Sequence, residues 1–557
     1  MCMLIKRSAF ILAVSSVVLP GLLSAQAVSK GPTDLRSAES NVRMAKMAEA
    51  LGVGVYEDFP VQLTAAPANS GQAITSVRPP SSPLKYEVPE PVLEKASVPQ
   101  EFAGSEPVSY LGLAATVWNT ISSKVSDLGW LPGTEKPATF EAISDRVLKA
   151  SKSAAFPARR AGEASLFTDP GFISEFETAT GARFNGGNSA RFLIDGVASF
   201  REKDALIKNA KKSLFISSWA FYDDTTGYEA AQMLIAKKKE GVIVQVMIDN
   251  NVSSSHGRKV VKMMEEAGVE VVRHNDADRG GDIWHVKIMI ADDKYAVAGG
   301  MNFGDVYSHK GAGSVKWRDT DVMFSGPAVL EAKRLMGAEW NGQVAQKRLP
   351  FKSVDISGAQ NADFEGGSAR LAVVLSNPPK SSPILVSIIK AMYGATKTIN
   401  IENAYFVAIP VVSQAVIEAR ARGVEVNILT NSKESIDAEG KPIVDAMAKC
   451  LIPLVQAGAK VYLKQGAEQT LHSKFMTVDG EFASIGSYNL HPRGERSDSE
   501  LNVNVLDRGA VAELDAAFSH DMSVAKKVLS AAELEEKPGW LSRIMSTYFY
   551  EQLSPKH

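Results

Sequence analysis

Two copies of one set of polar residues hold the chemistry this chain could do. His285-Val286-Lys287 is followed by Asp292 and then by Gly299-Gly300-Met301-Asn302; His472-Ser473-Lys474 is followed by Asp479 and then by Gly486-Ser487-Tyr488-Asn489. Counted from the His, the offsets are 2 to Lys, 7 to Asp and 17 to Asn in both copies. A neutral imidazole can attack phosphorus, and an imidazolium can give a proton to a departing oxygen. Lysine charge and asparagine amide donors suit the non-bridging oxygens of a phosphate. Two such sets facing one another predict a site in which one His attacks and the other protonates. A phosphodiester displacement then divides into two steps through a phosphohistidine. Each imidazole needs a carboxylate behind it to fix its tautomer and stabilise its cation; Asp319 and Glu500, which follow the two sets, are the candidates.

A metal centre is the competing reading. Two Lys beside the His repel a cation, and Cys and His have no zinc-like spacing, so neither metal nor cofactor is expected. Asp292 and Asp479 are expected to support the site from the turn after a strand. Gly299, Gly300 and Gly486 are small enough for an anionic ligand to approach the backbone there.

The elements that must position these residues are also duplicated. Residues two apart on a strand share a face, so His285 pairs with Lys287 and His472 with Lys474. Apolar Ile288, Ile290, Phe475 and Met476 follow, as in a buried strand. A second apolar run, Tyr295 to Ala298 or Phe482 to Ile485, returns beside the first and brings each Asn to its His-Lys pair. Upstream, strand 213–218, a helix to Lys239 and strand 241–249 are matched by strand 398–401, a helix through Ala421 and strand 423–429. Short strands 268–272 and 458–462 complete the pattern. Alternating strands and helices predict an α/β fold of two like lobes, each a mostly parallel sheet flanked by helices, with the site at their interface. The expected ranges are 165–352 and 353–557, divided near Lys352 to Gly367, where Ser, Gly, Asn and Asp cluster.

With 557 residues, 45% hydrophobic and 22% charged, the composition is that of a globular chain of more than one domain. The formal net charge of −2 gives no global argument for a polyanionic partner. Lys6 and Arg7, the apolar run Ala9 to Leu23 and Ala25-Gln26-Ala27 read as a signal peptide, residues 1–27, cut after Ala27. The alternative, an uncleaved anchor, has a short span and ignores the cleavage pattern. The mature protein is therefore expected in a bacterial periplasm or outside the cell, with Cys450 alone and no internal disulfide. Residues 28–164 read as an irregular, partly helical extension: helices at 34–51 and 111–128 flank a Pro-, Ser- and Ala-rich linker at 60–107. Trp540, Leu541, Ile544, Met545, Tyr548, Phe549 and Leu553 fall on one side of a C-terminal helix. That helix either packs on the second lobe or lies in a membrane interface.

The paired motifs resemble the H-x-K-x4-D signature of the phospholipase D superfamily, over roughly Ser165 to the C terminus. Several stretches are most similar to its bacterial cardiolipin synthase branch: Leu193-Ile194-Asp195-Gly196, Tyr222 to Gly227, Gly300-Met301-Asn302-Phe303-Gly304-Asp305, Trp317-Arg318-Asp319-Thr320, Ala404-Tyr405-Phe406-Val407, Gly486-Ser487-Tyr488-Asn489-Leu490 and Leu553-Ser554-Pro555. The resemblance implies that His285 is the nucleophile and His472 the acid. It implies a phospholipid substrate met at a membrane surface, no cofactor and no required oligomer. The activity would be hydrolysis of a phospholipid headgroup bond or transfer of the phosphatidyl group to an alcohol. Such synthases usually carry amino-terminal membrane helices, where this chain has a signal peptide and a long extension; Asn403 and the segment after Lys433 also depart from the pattern. The alternative, an exported nuclease, would use the same site, but pI 6.5 does not favour nucleic acid. An inactive binding protein is the third reading, and the intact pairs of His, Lys and Asn argue against it.

Overall fold

The computed structural model describes residues 98–99, 101–102 and 139–535, the last apart from 255, 277–281, 358–363, 380 and 439. The expected signal peptide, the helices at 34–51 and 111–128, and the aromatic C-terminal segment lie outside the described residues. Among the described residues no helix is long and apolar enough to cross a membrane.

The chain opens with helices α1 (Phe140–Ser151) and α2 (Pro170–Thr180). The first copy then runs β1 (Asn185–Ile194), α3 (Asp195–Asn209), β2 (Ser213–Ser218), α4 (Thr225–Lys239), β3 (Ile243–Asp249), α5 (Arg258–Glu266), β4 (Glu270–His274) and β5 (Ile283–Trp284). It continues through β6 (Ile288–Ala291), β7 (Tyr295–Gly299), α6 (Asp305–Ser308), β8 (Thr320–Ser325) and the long α7 (Pro327–Lys347). The second copy runs β9 (Ala369–Ser376), α8 (Pro383–Gly394), β10 (Thr398–Asn403), α9 (Pro410–Ala421), β11 (Glu425–Asn431), α10 (Val444–Gln456) and β12 (Lys460–Lys464). It ends with β13 (Lys474–Val478), β14 (Phe482–Gly486), β15 (Asp498–Leu506), α11 (Arg508–Ser523) and β16 (Lys526–Lys527).

Instead of two separate sheets, one sheet runs through both copies in the order β16-β12-β11-β10-β13-β14-β15-β9-β1-β8-β7-β6-β2-β3-β4, with β5 pairing β15. The expectation of mostly parallel sheets is corrected. Only β2-β3-β4 and β10-β11-β12, linked through helical crossovers, and the short β5-β15 pair are parallel; the other ladders are antiparallel. The cause is local. Turns between β6 and β7 and between β13 and β14 are too short to cross over, so the strands they join run antiparallel.

Asp292 (φ 54°) and Asp479 (φ 57°) occupy those two turns. The Asp292 carboxylate accepts the backbone N–H groups of Lys211, Lys212 and Ser213 at 2.7–3.1 Å. Asp479 accepts those of Thr396, Lys397 and Thr398 at 2.6–2.9 Å. Each aspartate ties the hairpin to the start of the neighbouring strand. The "D" of the repeated set is in each copy a clamp between two strands.

Apolar side chains fill both faces of the sheet. One cluster takes Phe215, Ile288 and Ile290 from the first copy together with Phe475, Ile485 and Val503 from the second, beneath Trp340 of α7 and Phe518 of α11. This shared core fixes the copies against each other. Phe172, Ile173 and Phe176 of α2, and Phe140 and Ile143 of α1, pack with Ile384, Ile388 and Ile389 of α8. Residues 140–184 thus cover the second copy. The first-copy fold begins at β1, not at residue 165, because α2 buries its apolar side on the other half. Within the expected linker, Phe102 is buried against the first copy and stacks on Tyr228 at 4.7 Å.

Candidate active site

Backbone pairing explains where the two histidines point. The start of β15 runs beside β5, and the His285 N–H donates to the Ser499 carbonyl at 3.0 Å. The residue after Ser499 is Glu500, whose oxygens lie 3.0 and 2.9 Å from His285 Nδ1. On the other side Arg318 bridges Leu471, and the His472 N–H donates to the Arg318 carbonyl at 2.6 Å. The residue after Arg318 is Asp319, whose Oδ2 lies 2.7 Å from His472 Nδ1. The two carboxylates are therefore exchanged: each copy's acid supports the other copy's imidazole. Neither half holds a complete His–carboxylate pair of its own.

The residues just before the histidines are fixed in parallel ways. Asp249, at the end of β3, accepts the Trp284 N–H at 2.8 Å; Asn431, at the end of β11, accepts the Leu471 N–H at 2.9 Å. Arg318 locks the seam, reaching Asp521 of α11 at 2.9 and 2.8 Å and the Asp319 carbonyl at 2.6 Å. Burial opposes its charge, but Glu402, Asp195 and Asp521 outweigh that and hold it protonated.

Glu500 and Asp319 are fully buried, Lys287 and Lys474 nearly so; the His285 side chain is 14% exposed and that of His472 only 5%. Burial lowers Lys287 to about 7 and Lys474 to about 8, against the pull of nearby carboxylates. It also holds His285 well below its usual value, helped by both lysines, and with Lys474 brings His472 to about 4. Burial would raise Asp319, but His472 and Lys474 outweigh it and the carboxyl stays below its usual value; at Glu500 burial wins and the carboxyl rises. At neutral pH both imidazoles in this site are uncharged. An anion bound beside the lysines would favour their ammonium form and a proton on an imidazole.

Lys474 Nζ and Asp319 Oδ2 both lie within hydrogen-bond reach of His472 Nδ1, at 2.9 and 2.7 Å. One nitrogen cannot donate to the carboxylate and accept from the lysine at once. The carboxylate, an acceptor only, takes the Nδ1 proton; Lys474 donates instead to the His472 carbonyl. His472 then carries its proton on Nδ1 and its lone pair on Nε2. Lys287 likewise donates to its histidine's carbonyl, at 2.7 Å.

Two expectations are corrected. The Asn302 amide donates to the Tyr307 hydroxyl at 3.0 Å, while its oxygen takes Ser218 Oγ at 3.2 Å and the Ala220 N–H at 3.4 Å. Asn302 thus braces the loop after β2, and the amide left for a ligand is that of Asn489, whose buried Oδ1 has no partner. The glycines do not open the backbone to an anion either. A Cβ on Gly300 would lie 2.2 Å from Asp319 Oδ1, on Gly299 2.1 Å from Asp321 Oδ1, and on Gly486 2.1 Å from the Leu501 carbonyl. They make room for the neighbouring strand and its carboxylates.

Spacing alone missed the aromatic surround. Trp317 stacks on His472 at 5.3 Å, Tyr307 meets it edge-on at 5.1 Å, and Tyr405 at 6.1 Å. Trp219 lies 6.2 Å from His285. It also missed His491, beside Tyr405 at 6.5 Å. Setting the two copies side by side would have found it, since the residue two after Asn302 is Gly304 and the residue two after Asn489 is His491.

Residues 204–309 and 388–522 match the model of the family described as cardiolipin synthase, PLD-like domain; the segments carry the two His-Lys pairs. Cardiolipin synthase A of Pseudomonas putida is 27% identical over 353 residues, 61% of this chain and 70% of that one. Cardiolipin synthase 2 of Staphylococcus epidermidis is 26% identical over 357 residues, 62% and 70% of the two chains. In fold, the chain is similar to phosphatidylserine synthase of Haemophilus influenzae, with a TM-score of 0.54 at 16% identity over 68% of this chain and 98% of that one. The duplicated domain and the paired H-x-K-x4-D sets, matched over those two segments, are similar to those of phospholipase D-type phosphatidyltransferases.

Proposed function

We propose that the protein moves phosphatidyl groups between alcohols, using His285 as nucleophile and His472 as acid and then base. The observation that carries this is the exchanged pairing of two imidazoles with two buried carboxylates around two buried lysines. His285 Nε2 attacks phosphorus and the bond to the headgroup oxygen breaks, while His472 gives that oxygen its proton. The phosphatidyl group is then a phosphohistidine on His285. In the second step His472 takes a proton from an incoming alcohol or water, whose oxygen displaces His285. The lysines and the Asn489 amide offset charge on the non-bridging oxygens. The cardiolipin synthase relatives support a lipid substrate and transfer as the main outcome. A substrate held in a bilayer also requires contact with the membrane surface.

The test is mass spectrometry after incubation with defined phospholipids, with and without glycerol. A glycerol-dependent phosphatidyl product is expected, at the same rate in excess chelator, because ammonium and amide groups do the work a cation does elsewhere. Loss of product in chelator, restored by a divalent ion with the lipid presented in detergent, would overturn the mechanism. Cleavage of nucleic acid without any lipid product would overturn the substrate class.

We also propose that the protein is exported, with residues 1–27 acting as a signal peptide cut after Ala27; the basic pair Lys6-Arg7, the apolar run Ala9 to Leu23 and Ala25-Gln26-Ala27 support this. Amino-terminal sequencing of exported protein is expected to begin at Val28; a retained Met1 or Lys6 would overturn export by this route.

A further inference from the structure

The two halves of the site share one backbone design and differ in the side chains that follow each asparagine and in how each asparagine is engaged. The Gly304 N–H donates to the Asn302 carbonyl at 3.1 Å, and the His491 N–H donates to the Asn489 carbonyl at 2.8 Å, so these residues occupy equivalent turns. A side chain at Gly304 would meet Tyr222 at 2.8 Å, whereas the second copy accommodates an imidazole. The asparagines differ too. Both ends of the Asn302 amide are engaged by protein, while Asn489, 3% exposed, keeps an oxygen without a partner. One side of a pseudo-symmetric phosphate site thus offers polar groups that the other lacks.

From this asymmetry we propose that Asn489 and His491 form a subsite for the alcohol that leaves or accepts the phosphatidyl group, and that it selects polyhydroxylated alcohols. The proposal rests on the phosphatidyl-transfer reading above. A phosphodiester monoanion has no hydrogen to donate, so it cannot satisfy the buried Asn489 oxygen; a hydroxyl can. Whichever way that amide is turned, it presents one acceptor and one donor. His491 Nδ1 accepts the Gly494 N–H at 3.4 Å, which puts the ring proton on Nε2 as a second donor. Hydroxyls, each both donor and acceptor, match this mixed set. Tyr405 stands 6.1 Å from His472 and 6.5 Å from His491, joining the subsite to the imidazole that exchanges the alcohol's proton. The Tyr405 hydroxyl donates to Asp437, and Asp498 pairs with Arg493 at 2.7 Å. A simple alcohol, with one hydroxyl engaged at phosphorus, leaves the Asn489 and His491 groups unpaired, which is how a polar site rejects a smaller analogue.

The experiment offers wild-type enzyme, His491→Ala and His491→Gln one phospholipid with glycerol and 1-propanol together, and measures the ratio of the two transfer products. Both products form in one tube, so the ratio is independent of how much of a variant is folded. The wild type is expected to favour glycerol, His491→Ala to lower the glycerol-to-propanol ratio about tenfold, and His491→Gln, which keeps an N–H, to fall between. A wild type that favours glycerol, with variants that keep its ratio, overturns the subsite and leaves the transfer reading standing. A wild type that favours propanol or shows no preference does the same. A wild type that transfers to neither alcohol overturns both.

Discussion

Replacing His285 with Ala is expected to abolish turnover of every substrate, by about 10⁴-fold or more, because no other group can carry the phosphatidyl intermediate. Replacing His472 with Ala is expected to act unevenly. A simple alkoxide leaves poorly without a proton, so phospholipid turnover falls as steeply as in His285→Ala. A p-nitrophenolate leaves readily without one, so His472→Ala still undergoes the first step with an activated phosphodiester. It then stalls, because water or alcohol attacking the intermediate has lost its base. An acid-quenched digest of His472→Ala is therefore expected to carry a phosphorus adduct on His285, and the same digest of His285→Ala to carry none. An adduct on His472 in His285→Ala would exchange the roles and keep the chemistry. Full activity in either variant would remove the site. Exposure agrees with the assignment: His285 is the more open of the two imidazoles, and His472 lies beneath Trp317, Tyr307 and Tyr405.

What the sequence made legible follows from how local each cause is. The duplicated set was readable because strand geometry carries a residue offset directly into space: two residues keep His and Lys together, and a tight hairpin returns Asn after an apolar run. Asp292 and Asp479 were readable as turn residues for the same reason. The sheet's direction was misread because helical crossovers before β3 and β11 are conspicuous, whereas the antiparallel ladders follow from short turns and from β1, β8, β9 and β15 meeting at long range. Helix α2 was assigned to the wrong half, since its apolar stripe does not state which surface it covers. The free-amide role of Asn302 failed on a contact with Tyr307 that no offset predicts. Asp319 and Glu500 were found as acids that follow the motifs. That each serves the opposite histidine depends on Ser499 pairing with His285 and Arg318 with His472, across the interface between the copies.

That exchange gives the carboxylates distinct expected phenotypes. Asp319→Asn and Glu500→Gln keep the shape of the side chain but remove the charge that balances an imidazolium, and they weaken the preference for a proton on Nδ1. Each is expected to lower kcat for phospholipid by on the order of 10² to 10⁴, the range for losing the acid behind a working histidine. With an activated phosphodiester the two should part. Glu500 lies 2.9 Å from His285 Nδ1, so Glu500→Gln weakens the nucleophile and slows the appearance of p-nitrophenol in the first turnover. Asp319 lies 2.7 Å from His472 Nδ1, so Asp319→Asn leaves that burst near wild-type speed and slows the turnover after it, as His472→Ala does. Rapid-quench measurement of burst and steady state in the two variants reads the difference directly. If Asp319→Asn slows the burst while Glu500→Gln spares it, then either each acid serves its own copy's histidine or His472 is the nucleophile. The adduct experiment separates these, because only the second puts phosphorus on His472. Equal effects on burst and steady state in both variants would mean that the carboxylates hold the interface together without acting through one imidazole each. The buried position of both acids at the seam, with Arg318 beside Asp319, makes a melting curve of each variant the necessary control: lost activity with an unchanged midpoint belongs to the chemistry.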